Sequence, residues 1–238
     1  MIHLITYSDH IFYKAKIRLN KEAISTNWFD TITLYGPEDL DDNFKNKFKN
    51  ILNQKRGGGY WIWKSYIIKK KLEEMNDNDI LIYLDAGCTI NTNGIKRFNE
   101  YIELLNNSDK GIISFQMNHI EKKYTTKEIF KYFNISLDSD IANNGQFLGG
   151  IRIMKKNNNL INLINKEYDT LYQNSLLFTD YYNNNQESDF IDNRHEQSIF
   201  SIIRKIYGSI ILTDETWFQP FGNKESLNYP FWATRKKF

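Results

Sequence analysis

The 238-residue chain is poor in cysteine, in proline and in net charge, with 1 Cys, 3 Pro and a balance of +2. A lone thiol, Cys88, excludes a disulfide framework or a cysteine-based zinc cluster and fits a reducing compartment. No apolar run approaches the roughly 18–20 residues that a membrane span needs. The opening MIHLITYSDH lacks the basic start, long apolar stretch and small-residue cleavage site of a secretory signal. The expectation is a cytoplasmic protein without a membrane span, in which the formal sequons at Asn106 and Asn134 carry no meaning. Near-neutral charge argues against nucleic acid as a partner, because a phosphate backbone is met by clustered positive charge. With so few prolines and no flexible linker there is no place for a domain boundary, and residues 1–238 read as a single domain.

What the chain does have is a core's worth of apolar side chains, 41% of residues, and an aromatic share of 15%. Short apolar runs alternate with amphipathic ones. Ile2–Thr6, Thr31–Tyr35, Ile80–Leu84, Gly111–Phe115, Gln146–Met154 and Ser209–Leu212 read as strands. ILIYL at 80–84 is apolar throughout, as expected of a strand buried on both faces. Helical patterns cover about His10–Ile24, Glu38–Leu52, the stretch carrying Ile62, Tyr66, Ile67 and Met75, Gly94–Leu105, Leu160–Tyr172 and Glu196–Tyr207. Thr125 with Glu128 has the spacing of a capping box for a short helix through Phe133. Such alternation predicts an α/β fold with a mostly parallel central sheet flanked by helices. Residues 173–194, polar and aperiodic, read as a surface loop or lid.

Five segments can carry chemistry. In YLDAGC, Asp85 emerges at the carboxyl end of a buried strand, where open parallel sheets bind ligands; capping of the next helix is the plainer role. In Arg56-Gly-Gly-Gly-Tyr60-Trp61-Ile62-Trp63-Lys64, three glycines beside cations at a helix start are suited to present amides to phosphate. At least one of the two tryptophans belongs in the core. Asp192-Asn-Arg-His195-Glu196-Gln197 opens a helix, where the dipole favours an ionised Glu196 and where Asp192 or Asn193 can serve as N-cap. Gly149-Gly150 within a strand marks close approach of a ligand or another backbone. The basic run Arg235–Lys237 has the composition of a solvated tail.

In this order the segments resemble those of GT-A fold glycosyltransferases, most closely small bacterial and large-DNA-virus sugar transferases with an RG-GYW-WKP, YLDAGC, RHDQSIF series. The resemblance covers essentially the whole chain and implies a single-domain GT-A (Rossmann-like) fold. It implies a hexosyltransferase-type enzyme of glycan biosynthesis that moves a sugar from a nucleotide-diphosphate donor, a UDP-sugar, to a hydroxyl of a glycan or glycoprotein acceptor. On this resemblance Thr6, Tyr7 and Ser8 hold the nucleobase and ribose. Arg56, Tyr60, Lys64, Asp85, Ala86 and Gly87 bind the donor, with Asp85 matching the first Asp of D-x-D and ligating Mn²⁺ or Mg²⁺; the alternative to a metal is neutralisation of the diphosphate by Arg56, Lys64 or the Arg235–Lys237 cluster. Gly149, Gly150, His195 and Glu196 line the sugar and acceptor site. Asp85, Glu196 and Gln197 are the catalytic candidates, and the Glu–Gln pair favours retention of configuration. Three positions depart from the pattern: Gly87 stands at the third place of D-x-D, Glu196 replaces Asp, and Ser65 replaces Pro. The rival readings are a nucleotidyltransferase acting on sugar phosphates, disfavoured because residues 7–12 contain no glycine, and a non-catalytic nucleotide-sugar or carbohydrate-binding module.

Overall fold

The computed structural model describes all residues, 1–238. The chain order is β1 (Ile2–Tyr7), α1 (Tyr13–Thr26), β2 (Thr31–Tyr35), α2 (Asp42–Lys47), α3 (Lys49–Leu52), α4 (Gly57–Tyr60), α5 (Trp63–Glu74), β3 (Ile80–Leu84) and β4 (Thr89–Ile90). It continues through α6 (Ile95–Asn106), β5 (Ile112–Ile120), α7 (Lys127–Tyr132), α8 (Asp140–Asn143), β6 (Gly145–Phe147), β7 (Ile151–Lys155), α9 (Asn158–Gln173), α10 (Glu196–Tyr207), β8 (Ile210–Thr213) and β9 (Phe231–Trp232). None of the helices is long and apolar enough to cross a membrane.

The main sheet has the order β2-β1-β3-β7-β5-β6, with β8 on the other edge of β5. From the pairings, β2, β1, β3, β5 and β8 run one way, while β7 and β6 run the other. The sheet is mixed but mostly parallel in direction. All five residues of β3 are buried, because helices cover both faces at the centre of the sheet. One face packs against α5, α9 and α10, the other against α1 and α6. Ile199, Phe200, Ile202 and Ile203 of α10 are fully buried. Each such side chain contributes about 1.5–3 kcal/mol relative to exposure, which fixes α10 and therefore its first turn.

Three segments differ from the periodicity reading. The helix expected over 38–52 is a 3-10 turn (Pro37–Asp39) followed by α2 and α3. Leu40 is extended, and the Asp41 carboxylate accepts the Phe44 amide at 2.7 Å, so a new helix starts there. The strand expected over 146–154 is interrupted: β6 and β7 both pair with β5, and Leu148–Gly150 leave the ladder between them. The Thr125–Glu128 capping box does not form. Thr126 is the N-cap residue, and the Thr125 hydroxyl donates to buried Glu121 at 2.7 Å instead.

A second, two-stranded sheet positions the chain's last residues. Strand β9 pairs antiparallel with β4, which follows β3 directly. Residues 233–238 thereby return to the carboxyl end of β3.

Candidate functional site

The carboxyl ends of β1 and β3 are adjacent, on the side where the sheet order reverses around β1. That is where open α/β sheets leave a crevice. A cleft of about 630 Å³ opens there, walled by the turn after β1, by α4 and the start of α5, by Asp85–Cys88, by the first turn of α10 and by Ala233–Lys237. Of the residues singled out from sequence, it is lined by Tyr7, Ser8, Arg56, Lys64, Asp85, Ala86, Gly87, Gly150, His195, Glu196 and Gln197.

Asp85 is the first residue beyond β3, and its amide donates to the Gly150 carbonyl at 2.8 Å. Its side chain is 38% exposed to the cleft. The Tyr83 hydroxyl donates to Oδ1, and Lys64 Nζ lies 3.2 Å from the same oxygen. Burial, reinforced by Asp85, pushes the Tyr83 phenol well above its ordinary range, so it stays a donor. Gly150 is small of necessity, since a Cβ there would sit 2.7 Å from Asp85 Oδ2.

Lys64, in the first turn of α5, is 4% exposed and bridges three groups. They are Asp85, the Gly149 carbonyl at 3.1 Å and Glu196 Oε2 at 3.5 Å. Burial lowers its pKa, and the attraction of Asp85 opposes the shift. Behind it, Arg152 of β7 contacts Glu196 Oε1 and lies 3.4 Å from Glu167 of α9, all three side chains being shut off from solvent. Glu167, Arg152, Glu196, Lys64 and Asp85 thus form a chain of alternating charge from the core to the cleft. Both oxygens of Glu196 lie on cations, which suits holding Lys64 in place rather than collecting a proton. Gln197 points the other way along the same wall. Its Oε1 accepts the Gly149 amide at 2.9 Å, and its Nε2 donates to Gln146 at 2.6 Å.

The glycine run forms a left-handed turn. Residues 57–61 all have positive φ (60°, 57°, 93°, 56° and 60°), a left-handed turn that L-residues with a Cβ resist by about 1–2 kcal/mol each. Glycines at three of the five positions remove most of that cost. The Gly58 and Gly59 amides donate to Lys55 and Gln54 within the turn, so they are not free for an anion. The turn splits the two tryptophans. Trp63 stacks face to face on Tyr7 at 3.8 Å between ring centroids, whereas Trp61 is half-buried beside His195.

Three expected site residues are not part of the cleft lining. Thr6 is fully buried within β1. Gly149 turns its carbonyl to Lys64 and its amide to Gln197. Tyr60 packs its ring against His195 at 4.8 Å. His195, the N-cap residue of α10, has φ of 57° and shares a hydrogen bond with Asp180 at 2.8 Å. Burial lowers its pKa against the pull of Asp180. Neither Asp192 nor Asn193 caps α10. Asp192 takes Arg56 at 2.6 Å, and the Asn193 amide donates to Leu177 and Thr179 carbonyls. Arg56 also reaches Asp180 at 3.3 Å, which pins the irregular 173–194 segment against α4. Buried, uncharged Cys88 has a pKa raised chiefly by desolvation and is no nucleophile.

Sequence reasoning missed Tyr83, Arg152 and Glu167, took in Arg194 only as part of the 192–197 segment, and read Arg235–Lys237 as a solvated tail or, without a metal, as a group that neutralises the diphosphate. The signal for Arg152 was a charge in the apolar strand IRIM directly after Gly-Gly. Arg194, Arg235 and Lys237 line the cleft.

A divalent cation would need several hard oxygen ligands. No group of three or more His, Cys, Asp or Glu side chains is arranged to hold one. Asp85 is the sole carboxylate at its turn, its Oδ1 is taken by Tyr83 and Lys64, and Gly87 offers no side chain. These residues do not fit a resident metal.

No protein-family model and no curated protein sequence matches the chain. Solved structures do. A glycosyltransferase involved in glycosylation of the major capsid of PBCV-1 superposes with a TM-score of 0.53 at 10% identity, over 97% of this chain and 91% of that one. The galactosyltransferase LgtC, solved with donor and acceptor sugar analogues, gives 0.47 at 10% identity over 95% and 83%. Mouse xyloside xylosyltransferase 1 gives 0.46 at 12% identity over 99% of both chains. These are GT-A glycosyltransferases, and the chain shares the GT-A, Rossmann-like fold.

Proposed function

We propose that this chain is a glycosyltransferase that moves a sugar from a nucleotide-diphosphate sugar, a UDP-sugar, to a hydroxyl of a glycan or glycoprotein acceptor, with retention of configuration. The observation that carries the reading is Asp85, half-exposed at the end of β3 and held by Tyr83 and Lys64 in a cleft whose wall includes Glu196 and Gln197. The fold shared with a capsid-glycosylating transferase over nearly the whole chain supports it.

In the reaction the bond between the anomeric carbon and the β-phosphate oxygen breaks, and its electron pair leaves with the nucleoside diphosphate. A bond from the acceptor oxygen to the anomeric carbon forms, through an oxocarbenium-like state. Asp85 binds donor hydroxyls and faces the developing positive charge. Lys64 and Arg56 attract the diphosphate, where negative charge builds. Gln197 orients sugar hydroxyls, and Glu196 holds Lys64 through its second oxygen. Inversion calls for a general base within about 3 Å of the acceptor hydroxyl. Glu196, Asp85 and Asp192 each lie on a cation, and Asp9 accepts the Ile11 and Phe12 amides. That occupancy favours retention, with the departing phosphate oxygen taking the acceptor proton.

The test is a panel of nucleotide sugars, with released nucleoside diphosphate measured for wild type and Asp85→Ala. Turnover of one donor by wild type and its loss in the variant are expected. Equal turnover by the variant, or none by wild type across the panel, refutes the reading. The anomeric signal of the product by NMR decides retention.

A further inference from the structure

The cleft has a front wall that the proposed roles leave unused. Gly87 stands where a second carboxylate is expected, and the space beside it is filled by backbone. A Cβ at 87 would lie 3.1 Å from the Arg235 Cα and 3.2 Å from the Lys236 carbonyl oxygen. The Gly87 carbonyl accepts the Lys236 amide at 2.9 Å and the Thr234 hydroxyl at 2.9 Å, and Thr234 also shares a hydrogen bond with Thr89 at 2.8 Å. Arg235, between the two donors, takes a left-handed φ of 56°, the bend that lets both reach one carbonyl. The segment 234–236 is therefore moored to the turn that carries Asp85.

The charge on this front is one-sided. Lys55, Arg194, Arg235 and Lys237 line the cleft, and none of them is in an ion pair. Arg194 stacks on Tyr124 at 4.5 Å and keeps a buried Nε without a hydrogen-bond partner. Arg235 stacks on Trp217 at 5.3 Å. Adding Arg56 and Lys64 brings the cleft to six cations, against the carboxylates Asp9, Asp85, Asp192 and Glu196. The cations outnumber the carboxylates, a balance that favours an anionic ligand.

We propose that Arg235 and Lys237, moored at Gly87, together with Arg194 form the diphosphate subsite, and that these cations take the place of a divalent metal in holding the donor. This rests on the reading of the cleft as a nucleotide-sugar site. Two guanidinium groups held on aromatic rings, with the ammonium of Lys237 beside them, neutralise the leaving diphosphate without a bound ion.

The experiment is calorimetric titration of the full chain with UDP, GDP and ADP, each in EDTA and again in excess Mn²⁺. The expected result is binding of one diphosphate in EDTA that Mn²⁺ changes by less than about threefold, within ordinary variation of a charged contact. Arg235→Ala/Lys237→Ala should weaken that binding roughly tenfold or more, as loss of charge-assisted contacts does. Both side chains are exposed, so the melting temperature of the free variant should match wild type. Binding that appears only with Mn²⁺, or a variant that binds as wild type does, overturns the inference and leaves the nucleotide-sugar reading standing. No binding of any diphosphate under either condition overturns both.

Discussion

Replacing Arg152, which does not itself line the cleft, by methionine should destabilise the fold. Arg152 and Glu167 are fully buried and Glu196 is 1% exposed, so no water compensates when the guanidinium is removed. Methionine preserves the packing over the Phe200 ring, which the guanidinium carbon now approaches to 4.1 Å, and thereby isolates the charge effect. Breaking a buried pair from one side costs about 3–5 kcal/mol, because the partner stays buried and unpaired. Against a total stability of about 5–15 kcal/mol that is a large fraction. At this chain length the melting temperature should fall by roughly 6–20 °C. Urea unfolding followed by circular dichroism measures it, and Arg152→Met/Glu167→Gln should recover part of the loss through coupling of about 0.5–3 kcal/mol. The pH dependence has a definite sign. Burial raises the Glu167 pKa despite Arg152, Lys64 and Arg204, and losing Arg152 raises it further. A carboxyl raised in the folded state stabilises most below its unfolded range and loses that contribution as pH climbs through the folded value. The deficit of Arg152→Met relative to wild type should therefore be smaller at pH 5 than at pH 8. A cost below about 1 kcal/mol, or a deficit that grows toward low pH, would refute the buried charge chain.

Other substitutions separate structural from site roles. Gly150→Ala drives a methyl to 2.7 Å from Asp85 Oδ2, so Asp85 must leave Tyr83 and Lys64; stability should change by about 1–3 kcal/mol while transfer drops as in Asp85→Ala. Transfer at the wild-type rate would show that Asp85's position is immaterial. Gly59→Ala combines φ of 93° with a Cβ 2.6 Å from the Leu52 Cα, and its melting temperature should fall well beyond that of Gly58→Ala, whose Cβ has its nearest neighbour at 3.5 Å. Similar values would contradict the close approach of Gly59 to the Leu52 backbone. Burial holds the His195 imidazole below 6.5, so its contribution to pinning residues 179–195 is present above that range and is lost as pH falls. Amide exchange in this segment, corrected for intrinsic rate, should be faster at pH 5 than at pH 7.5, and greater protection at pH 5 would sink the argument.

The parts of the fold that were legible in sequence are those where one period rules a whole element. The run ILIYL could only be an interior strand, and the apolar positions of 199–206 define α10 to within its observed ends. Legibility failed where a single residue overrides the period. Asp41 restarts a helix inside the stretch 38–52, and Gly149-Gly150 break a strand so that Lys64 and Gln197 can reach the backbone between β6 and β7. The glycine run was recognised, but handedness cannot be read from composition. Three adjacent glycines open a left-handed turn and a phosphate-binding loop equally, and here the Gly58 and Gly59 amides are consumed inside the turn. Arg152 and Glu167 were invisible as a pair because they lie 15 positions apart on different elements and meet only after α9 packs on β7.

Gly87 shows how a departure in sequence acquires a cause in three dimensions. Read along the chain, it is a missing ligand, and the natural inference is a weakened site. In the fold the position is crowded by the backbone of 235 and 236, and an aspartate there would have to displace the segment that returns through β9. The want of a side chain at 87 and the approach of a basic segment are thus two sides of one packing arrangement. At the rear of the cleft every charge is paired and all but Asp85 are buried; at the front Arg194, Arg235 and Lys237 are unpaired, the last two exposed. If the front cations hold a small polyanion as proposed, ordinary salt should compete with it, whereas the buried contacts of Lys64 and Glu196 at the rear should be screened much less.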